Sequence, residues 1–396
     1  MELSKLDDKP FIETVAKRLL RIKAISPESG GSGESEKADE IIKILDELGY
    51  GYKRYDIIDN KNVKRSNITV KIGNFEKTLW IISHMDTVPE GDIKLWNYNP
   101  FEATVIDNKI YGRGSEDNGQ SIFMDLLLLK TLYKSRLKIN LGIAFVSDEE
   151  TGNNYGIKYL LDKNVFNNDD LIIVPDAGSQ DGLMIETAEK SILQLKFTVK
   201  GSQGHASMPE YSVNAFRDSS KFVDMLDFNL HEKYYGKNNL FIPPYSTFEP
   251  TKHEKNIDNI NTIPGTDVFY LDCRVLPEYN LGEIKNYIND LINKFELTNK
   301  SKISYEVMDE INSPQPTDDN SDVIKKLKLA IRNIRGKDAV TVGIGGETFA
   351  SFFRERSIPA AVWSTTVIES AHMPDEYCLI TDILDDLKIF EYMLYN

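Results

Sequence analysis

One stretch limits what this chain can become. Leu79-Trp80-Ile81-Ile82-Ser83 is a short, continuous apolar run of the buried-strand type, and it ends in His84-Met85-Asp86-Thr87-Val88-Pro89, a turn. Alternate side chains of an extended strand point the same way, so His84 and Asp86 can reach one site where the strand ends. A histidine beside a carboxylate is a good metal ligand, because the carboxylate can fix its tautomer and orientation. The plainer reading is a His that caps a strand and an Asp that opens a turn. The rest of the chain decides between them.

The first half alternates helical and strand patterns. Phe11–Ala24 and Glu36–Leu48 have helical spacing, the second stopped by Gly49. Ile68–Ile72, Thr78–Ser83, Ile139–Ser147 and Asp170–Pro175 read as strands, and Ile122–Tyr133 and Tyr155–Leu161 as helices. Asp107-Asn108 reads as a hairpin turn between Phe101–Ile106 and Lys109–Tyr111. This rhythm predicts an α/β layer with a largely parallel sheet, whose strand ends are where open α/β sheets place ligands. After Glu186 the rhythm changes. Strands at Ser191–Lys200, Tyr245–Thr251, Asp267–Leu276 and Lys302–Val307 alternate faces, with helices at Asn214–Leu226 and Gly282–Lys294. That predicts a small α+β domain. Ser313–Thr317 looks like the return linker, and the helix Asp322–Arg335, strand Ala360–Trp363 and helix Asp382–Tyr395 resume the α/β rhythm. The expected division is a first catalytic segment over 1–186, an inserted domain over 187–310 and a second catalytic segment over 311–396.

Five polar clusters fall at strand ends of the α/β part: His84/Asp86, Asp117, Glu149-Glu150, Asp176 and His372. Each alone has a structural reading, and Asp117 before an apolar helix is a candidate N-cap. Together they offer two His and several carboxylates without a Cys, a nitrogen and oxygen donor set suited to Zn²⁺, Mn²⁺ or Co²⁺ in an open, catalytic site. Adjacent Glu149 and Glu150 repel unless a cation or a shared proton compensates. One can bind metal while the other takes a proton from metal-bound water.

Seven motifs then run in order: Ser83-His84-Met-Asp86-Thr-Val-Pro89, Gly112-Arg-Gly-Ser-Glu-Asp117-Asn-Gly119, Asp148-Glu149-Glu150-Thr-Gly152, Pro175-Asp176-Ala-Gly178, Gly204-His205-Ala-Ser-Met-Pro209, Asn261-Thr-Ile-Pro264 and Ala371-His372-Met-Pro-Asp-Glu376. In these, over nearly its whole length, the chain resembles the M20 family of metallopeptidases and amidohydrolases. That family includes dipeptidases, carboxypeptidases, aminoacylases, acetylornithine deacetylase and succinyl-diaminopimelate desuccinylase. The resemblance implies a phosphorylase/hydrolase-like catalytic domain with a mostly parallel sheet, and an inserted ferredoxin-like α+β lid and dimerisation domain. It implies two divalent metal ions, zinc foremost, with manganese or cobalt as alternatives. His84 and Asp176 would hold one, Glu150 and His372 the other, and Asp117 would bridge them, with a cis peptide to Asn118. Glu149 would be the general base and Asp86 the partner of His84. His205 would stabilise the oxyanion, often in the partner subunit's site. Asn261 and Arg274 would hold a substrate carboxylate, for which an Arg fork is suited, and Gly346 would line the pocket. For Arg274 an ion pair with Asp272 is the structural alternative.

The implied function is two-metal hydrolysis of amide bonds in small, carboxylate-bearing substrates, dipeptides or N-acyl amino acids. A desuccinylase or acetylornithine deacetylase type of deacylase is the alternative. Departures from the family pattern are Asn118, where Lys is common, and Trp363-Ser-Thr-Thr-Val-Ile-Glu369-Ser-Ala before His372, where Gly and Pro are common. Asp176 stands where several deacylases carry Glu, which favours the peptidase and aminoacylase side.

Composition narrows the partners. The formal net charge of -15 argues against nucleic acid, since phosphate binding needs a basic face. A metal phosphoesterase would want a basic clamp, and only Arg113 lies near the motifs. Gly343–Thr348 is glycine-rich but lacks the Lys-Ser/Thr of a nucleotide loop. Cys273 and Cys378 are the two cysteines, and Cys273 reads as a small core residue. His231 and His253 match no motif. No window approaches a membrane span, and the charged start Met1–Lys9 does not suit a signal peptide, so a cytoplasmic protein is expected; the family resemblance implies a homodimer through the inserted domain that acts on small molecules or short peptides.

Overall fold

The structure, a computed structural model, describes residues 8–396; of the charged start, Met1–Asp7 lies outside the described residues. The chain divides into two compact units. The first holds Met1–Thr187, Thr317–Thr341 and Thr348–Asn396, and the second Ala188–Pro316 and Val342–Glu347.

Strands of the first unit pair side by side in the order Lys53–Ile58, Lys64–Ile72, Asn140–Val146, Thr78–His84, Leu171–Ser179, Ala360–Thr365 and Met184–Glu189. The centre of this sheet is parallel: Thr78–His84 pairs in parallel with Asn140–Val146 and with Leu171–Ser179, which pairs in parallel with Ala360–Thr365. Towards the edges the pairing turns antiparallel. Every residue of Thr78–His84, Asn140–Val146 and Ala360–Thr365 is buried, as parallel strands covered on both faces require. Leu79 and Ile81 pack into one apolar core with the helices Lys9–Leu20, Ser35–Glu47, Gln120–Thr131, Asp322–Arg335 and Ile380–Tyr395. Trp80 and Ile82 pack into another, with Ile157–Asp162 and Ala350–Glu355. The run is apolar on both sides because it separates two helical layers. The edge strand Lys53–Ile58 carries polar residues on both faces and gave no periodic signal in the sequence.

Two packing details are sharp. Trp80 lies beside Gly142 of the neighbouring strand, its indole N–H donating to Asp170 at 3.0 Å and its ring edge-on to Phe166 at 5.0 Å. A side chain at Gly142 would overlap that ring, which has nowhere to go. Asp125 is the second. It sits fully buried in the otherwise apolar helix Gln120–Thr131, accepting one hydrogen bond from the Ser83 hydroxyl at 2.8 Å. Burial pushes its carboxyl well above the ordinary value of 3.8, and the Ser83 bond only partly offsets this.

The second unit is a four-stranded antiparallel sheet, in the order Thr247–His253, Thr266–Val275, Ser191–Lys200 and Lys302–Ile311, with helices Ala215–Lys233 and Leu281–Glu296. The chain order strand-helix-strand-strand-helix-strand with this pairing is the ferredoxin-like arrangement. Thr266–Val275 alternates buried and part-exposed residues along its length, and one face closes on a core that includes Phe197, Phe222 and Phe295. Among the described residues no helix is long and apolar enough to cross a membrane. Cys273 and Cys378 are both buried and free.

Gly142→Ala is expected to destabilise the first unit by about 1–3 kcal/mol, the usual cost of overpacking, measured by urea unfolding. For Asp125 the sign follows from its raised pKa. Above pH 3.8 the unfolded chain has lost this proton while the folded chain keeps it, so the group lowers stability as pH rises, by up to about 1.4 kcal/mol per unit. Asp125→Asn is therefore expected to gain on the wild type between pH 5 and pH 8; a difference independent of pH would refute the assignment.

Candidate metal centre

Each candidate side chain of the first unit leaves the fold at a strand end or in the turn that follows. His84 ends Thr78–His84, Glu149 and Glu150 lie in the single turn after Asn140–Val146, and Asp176 lies within Leu171–Ser179. Asp117 lies in the turn Ser115–Gly119, and the bond from Asp117 to Asn118 is cis. His372 follows the short turn Ile368–Ser370 with a left-handed backbone, φ 62°.

These side chains converge. His84 Nε2 is 2.8 Å from Asp117 Oδ1 and 3.4 Å from Asp176 Oδ1. His372 Nε2 is 2.9 Å from Asp117 Oδ2 and 3.3 Å from Glu150 Oε1. Asp117 thus faces one imidazole with each oxygen. Two groups have ligand atoms within 4.8 Å of one another: His84, Glu149 and Asp176, and His84, Asp117 and Glu150. By distance alone, Glu149 could be a ligand as well as a base.

The electrostatics fit a cation. His84 Nδ1 lies 3.1 Å from the backbone carbonyl of Asp86, which gives Nδ1 the proton and leaves the Nε2 lone pair facing two carboxylates. Lone pairs against carboxylate oxygens repel unless a proton or a metal ion lies between them. Burial alone would lower the pKa of His84, but the charge of Asp176 and hydrogen bonds to Asp117 and Asp176 hold it well above the ordinary value. His372 is pushed up to about 10 by its hydrogen bonds to Asp117 and Glu150. Burial, then the charge of Asp176, pushes Glu149 well up, and burial also raises Glu150. Burial would raise Asp117 too, but its bonds to His372 and His84 take it well below the carboxylate range. Two imidazoles and four carboxylates that hold protons between them as they stand are the donor set that a pair of divalent ions would take over, displacing those protons.

Two readings sharpen here. Asp117 does not cap the following helix: Gly119 is the N-cap residue of Gln120–Thr131, with no side-chain cap bond, and the Asp117 carboxylate faces the imidazoles instead. The Asp86 carboxylate stands 3.6 Å from His84 Nδ1 and spends its hydrogen bonds elsewhere, accepting the backbone N–H of Glu149 and of Glu150 at 3.0 Å each. Asp86 thus faces the imidazole twice, its backbone carbonyl the nearer partner of Nδ1 and its carboxylate behind it.

Other residues support the site without having been given a role from the sequence. Glu376, buried, accepts the N–H groups of Gly114, Glu116 and Asp117 at 3.0–3.1 Å and an Arg113 guanidinium N–H at 2.5 Å. Asn118 donates through Nδ2 to Asp176 Oδ1 and to the Pro175 carbonyl, both at 2.8 Å. Where the family commonly has Lys, an amide steers a candidate ligand. A cavity of about 980 Å³ adjoins the His372 loop, lined by Tyr98, Tyr111, Glu369, Met373, Asp375 and Tyr377 among others.

The remaining candidates belong to the second unit. His205, exposed, lies on the two-residue strand Gly204–His205 that pairs with Thr262–Ile263, and its Nδ1 accepts from the Ser207 N–H and hydroxyl. Asn261 is next to it, its carbonyl accepting the Ala206 N–H at 2.9 Å. Arg274 donates Nε and Nη2 to Asp272 at 2.7 and 3.1 Å and Nη1 to the Gly345 carbonyl at 3.1 Å. The Asp272 ion pair, the structural alternative, is present. Gly346, one residue on, has open space where a side chain would be. His231 and His253 pair with Asp227 and Asp267 on this unit's own surface.

The comparisons with known proteins bear on the whole chain. The profile of peptidase family M20/M25/M40 matches residues 80–396. An uncharacterized metallohydrolase of Methanocaldococcus jannaschii is 44% identical over 95% of this chain and 97% of its own. The succinyl-diaminopimelate desuccinylase of Pelagibacter ubique is 26% identical over 97% of this chain and 98% of its own. In fold, the M20 family metallo-carboxypeptidase of Sulfolobus solfataricus matches with a TM-score of 0.73 at 20% identity, covering 97% of this chain and 99% of that one. With the motifs in order and the fold in place, the chain belongs to peptidase family M20/M25/M40 and is a hydrolytic enzyme.

Proposed function

We propose that the enzyme hydrolyses amide bonds of small substrates with a free carboxylate, dipeptides or N-acyl amino acids, with two divalent cations, zinc foremost and manganese or cobalt as alternatives. The observation that carries this reading is the convergence of His84, His372, Asp117, Glu149, Glu150 and Asp176 in one cluster, with His84 buried at its floor and His372 exposed at its rim. In it His84 and Asp176 would hold one ion and Glu150 and His372 the other, with Asp117 serving both. When bound, the ions supply Lewis acidity, polarising the scissile carbonyl and acidifying a water. Glu149 takes the proton of that water at a carboxylate oxygen and hands it to the departing amine nitrogen. Asp86 holds the turn that carries Glu149 and Glu150.

In the second unit, the proposed lid and dimerisation domain, His205 donates to the developing oxyanion, in the partner subunit's site if the enzyme is a homodimer. Asn261 and Arg274 receive the substrate carboxylate, which would replace the contacts Arg274 now makes with Asp272 and Gly345, and Gly346 leaves room for substrate. The cytoplasm is the proposed compartment.

A second reading is an N-succinyl-diaminopimelate desuccinylase or an acetylornithine-type deacylase. It is supported by relatives so named, at 26–27% identity over most of the chain. The two readings separate in one experiment. Metal-stripped enzyme is reloaded with Zn²⁺, Mn²⁺ or Co²⁺ and offered dipeptides, N-acetyl amino acids and N-succinyl-diaminopimelate. Turnover of dipeptides or assorted N-acyl amino acids, without the succinyl compound, is expected; preference for the succinyl compound would transfer the assignment to the second reading.

Glu149→Gln is expected to keep wild-type metal stoichiometry and to lose about 10²–10⁴-fold in kcat, the usual contribution of a general base; full activity would remove the base assignment. His205→Ala is expected to cost about 10²–10³-fold in kcat, as removal of an oxyanion donor does, with metal content unchanged. Unaltered turnover would leave His205 a surface residue.

A further inference from the structure

The turn that carries Glu149 and Glu150 opens with three consecutive backbone N–H groups, and all three are received by buried carboxylates. Those of Glu149 and Glu150 go to Asp86. That of Asp148 goes to Glu34 Oε1 at 3.1 Å. Glu34 stands just before the helix Ser35–Glu47 and is fully buried. Arg65, on the strand Lys64–Ile72 and fully buried as well, grips it with both sides of the guanidinium fork: Nε donates to Oε2 at 2.7 Å, and Nη2 to Oε1. The same Nη2 lies 3.4 Å from Asp148 Oδ1. One guanidinium therefore ties together the acceptor of the Asp148 N–H and the side chain of Asp148 itself.

Asp148 needs such a restraint. Its φ is 66°, in the left-handed region, which Asp enters more readily than most residues with a side chain but still at a cost that fixed partners offset. Its own carboxylate is used up inside the turn, Oδ1 accepting from the Thr151 hydroxyl at 2.7 Å and Oδ2 from the Tyr155 N–H at 3.0 Å. What is left to anchor the turn to the strands beneath it is the pair of carboxylates, Asp86 and Glu34. Burial, with the charge of Asp86, pushes the Glu34 carboxyl up, and the Arg65 fork opposes that rise while fixing where the carboxyl stands. Such a pair gains little stability over apolar residues of equal volume, so its consequence lies in geometry.

We propose that Glu34, held by Arg65, is a positioning residue for catalysis: it fixes the left-handed start of the Asp148–Glu150 turn and so sets where the Glu149 and Glu150 carboxylates stand against His84, Asp117 and Asp176. This rests on the reading of Glu149 as base. If the brace is lost, the Asp148 N–H loses its carboxyl acceptor, the turn relaxes, and the base moves relative to the reacting carbonyl. Misplacement of that kind lowers kcat more than substrate binding.

The test is Glu34→Gln in the full-length, metal-loaded enzyme, which leaves an oxygen for the Asp148 N–H but sets an uncharged amide against Arg65. The expected result is a folded protein with kcat lowered at least about tenfold, the usual effect of such supporting groups, and KM within about twofold. Arg65→Lys, which keeps the charge without the fork, is expected to lie between this and the wild type. If the single variant does not fold, Glu34→Asp, which keeps Arg65 for its other partners Asp59 and Asp148 but draws the carboxylate back from the Asp148 N–H, is read by the same criterion. A folded variant with wild-type kcat, or one with a raised KM alone, overturns the proposal. Glu149→Gln measured alongside separates the two failures. If it stays active, the base assignment falls and takes this proposal with it; if it is dead while Glu34→Gln is at wild-type rate, only the positioning role falls.

Discussion

The structure turns on a cluster of carboxylates that cannot be close together unless something positive joins them. Asp117 alone lies within 2.9 Å of both imidazole nitrogens, and Glu149, Glu150 and Asp176 crowd the same space. Neighbouring anions in a buried site repel strongly, and bound divalent cations reverse the sign of that interaction. Everything around the cluster keeps these groups in place at a cost the fold must offset. Buried parallel strands deliver His84, Asp176 and the Glu149-Glu150 turn to one end of the sheet, the end at which such sheets bind ligands.

Backbone amides do most of the holding. Asp86 receives two N–H groups, Glu376 three, and Glu34 one, and each of these carboxylates is buried. A carboxylate that accepts N–H groups is both solvated and oriented by them, so it can sit away from water. Arg65 and Arg113 add charge where amides do not suffice. The outcome is a rigid ring of acceptors around loops that would otherwise be free to move. Asp125 under Ser83 is the exception: with no cation and a single hydroxyl partner, it keeps its proton.

Much of the site was legible in the sequence because its residues lie at the ends of strands whose apolar runs are unmistakable. Leu79–Ser83 has no polar face, so His84 had to stand at a boundary, and the Glu149-Glu150 pair stood out through its unfavourable adjacency. The braces were less legible. Glu34 precedes an amphipathic helix as any exposed Glu could, and Arg65 begins a strand with no sign that it will be buried. Asp117 was legible through its motif, although its local context also offered a helix cap; the long-range approach of the two imidazoles decides between them. The edge strand Lys53–Ile58 was missed because polar residues on both faces leave no period to read.

The sequence by itself determined the layered α/β rhythm, its interruption by an α+β segment, and the chemistry of a nitrogen and oxygen donor set, since these follow from local periodicity and residue type. Tertiary structure decided the division of labour. It brought the backbone carbonyl of Asp86 nearest to His84 Nδ1, turned the Asp86 carboxylate to the base-bearing turn, and set Glu34 and Arg65 beneath Asp148. Those choices join residues as far apart as 34 and 148. Which donor meets which acceptor across such a separation depends on how strands and helices stack, and no local pattern carries that information.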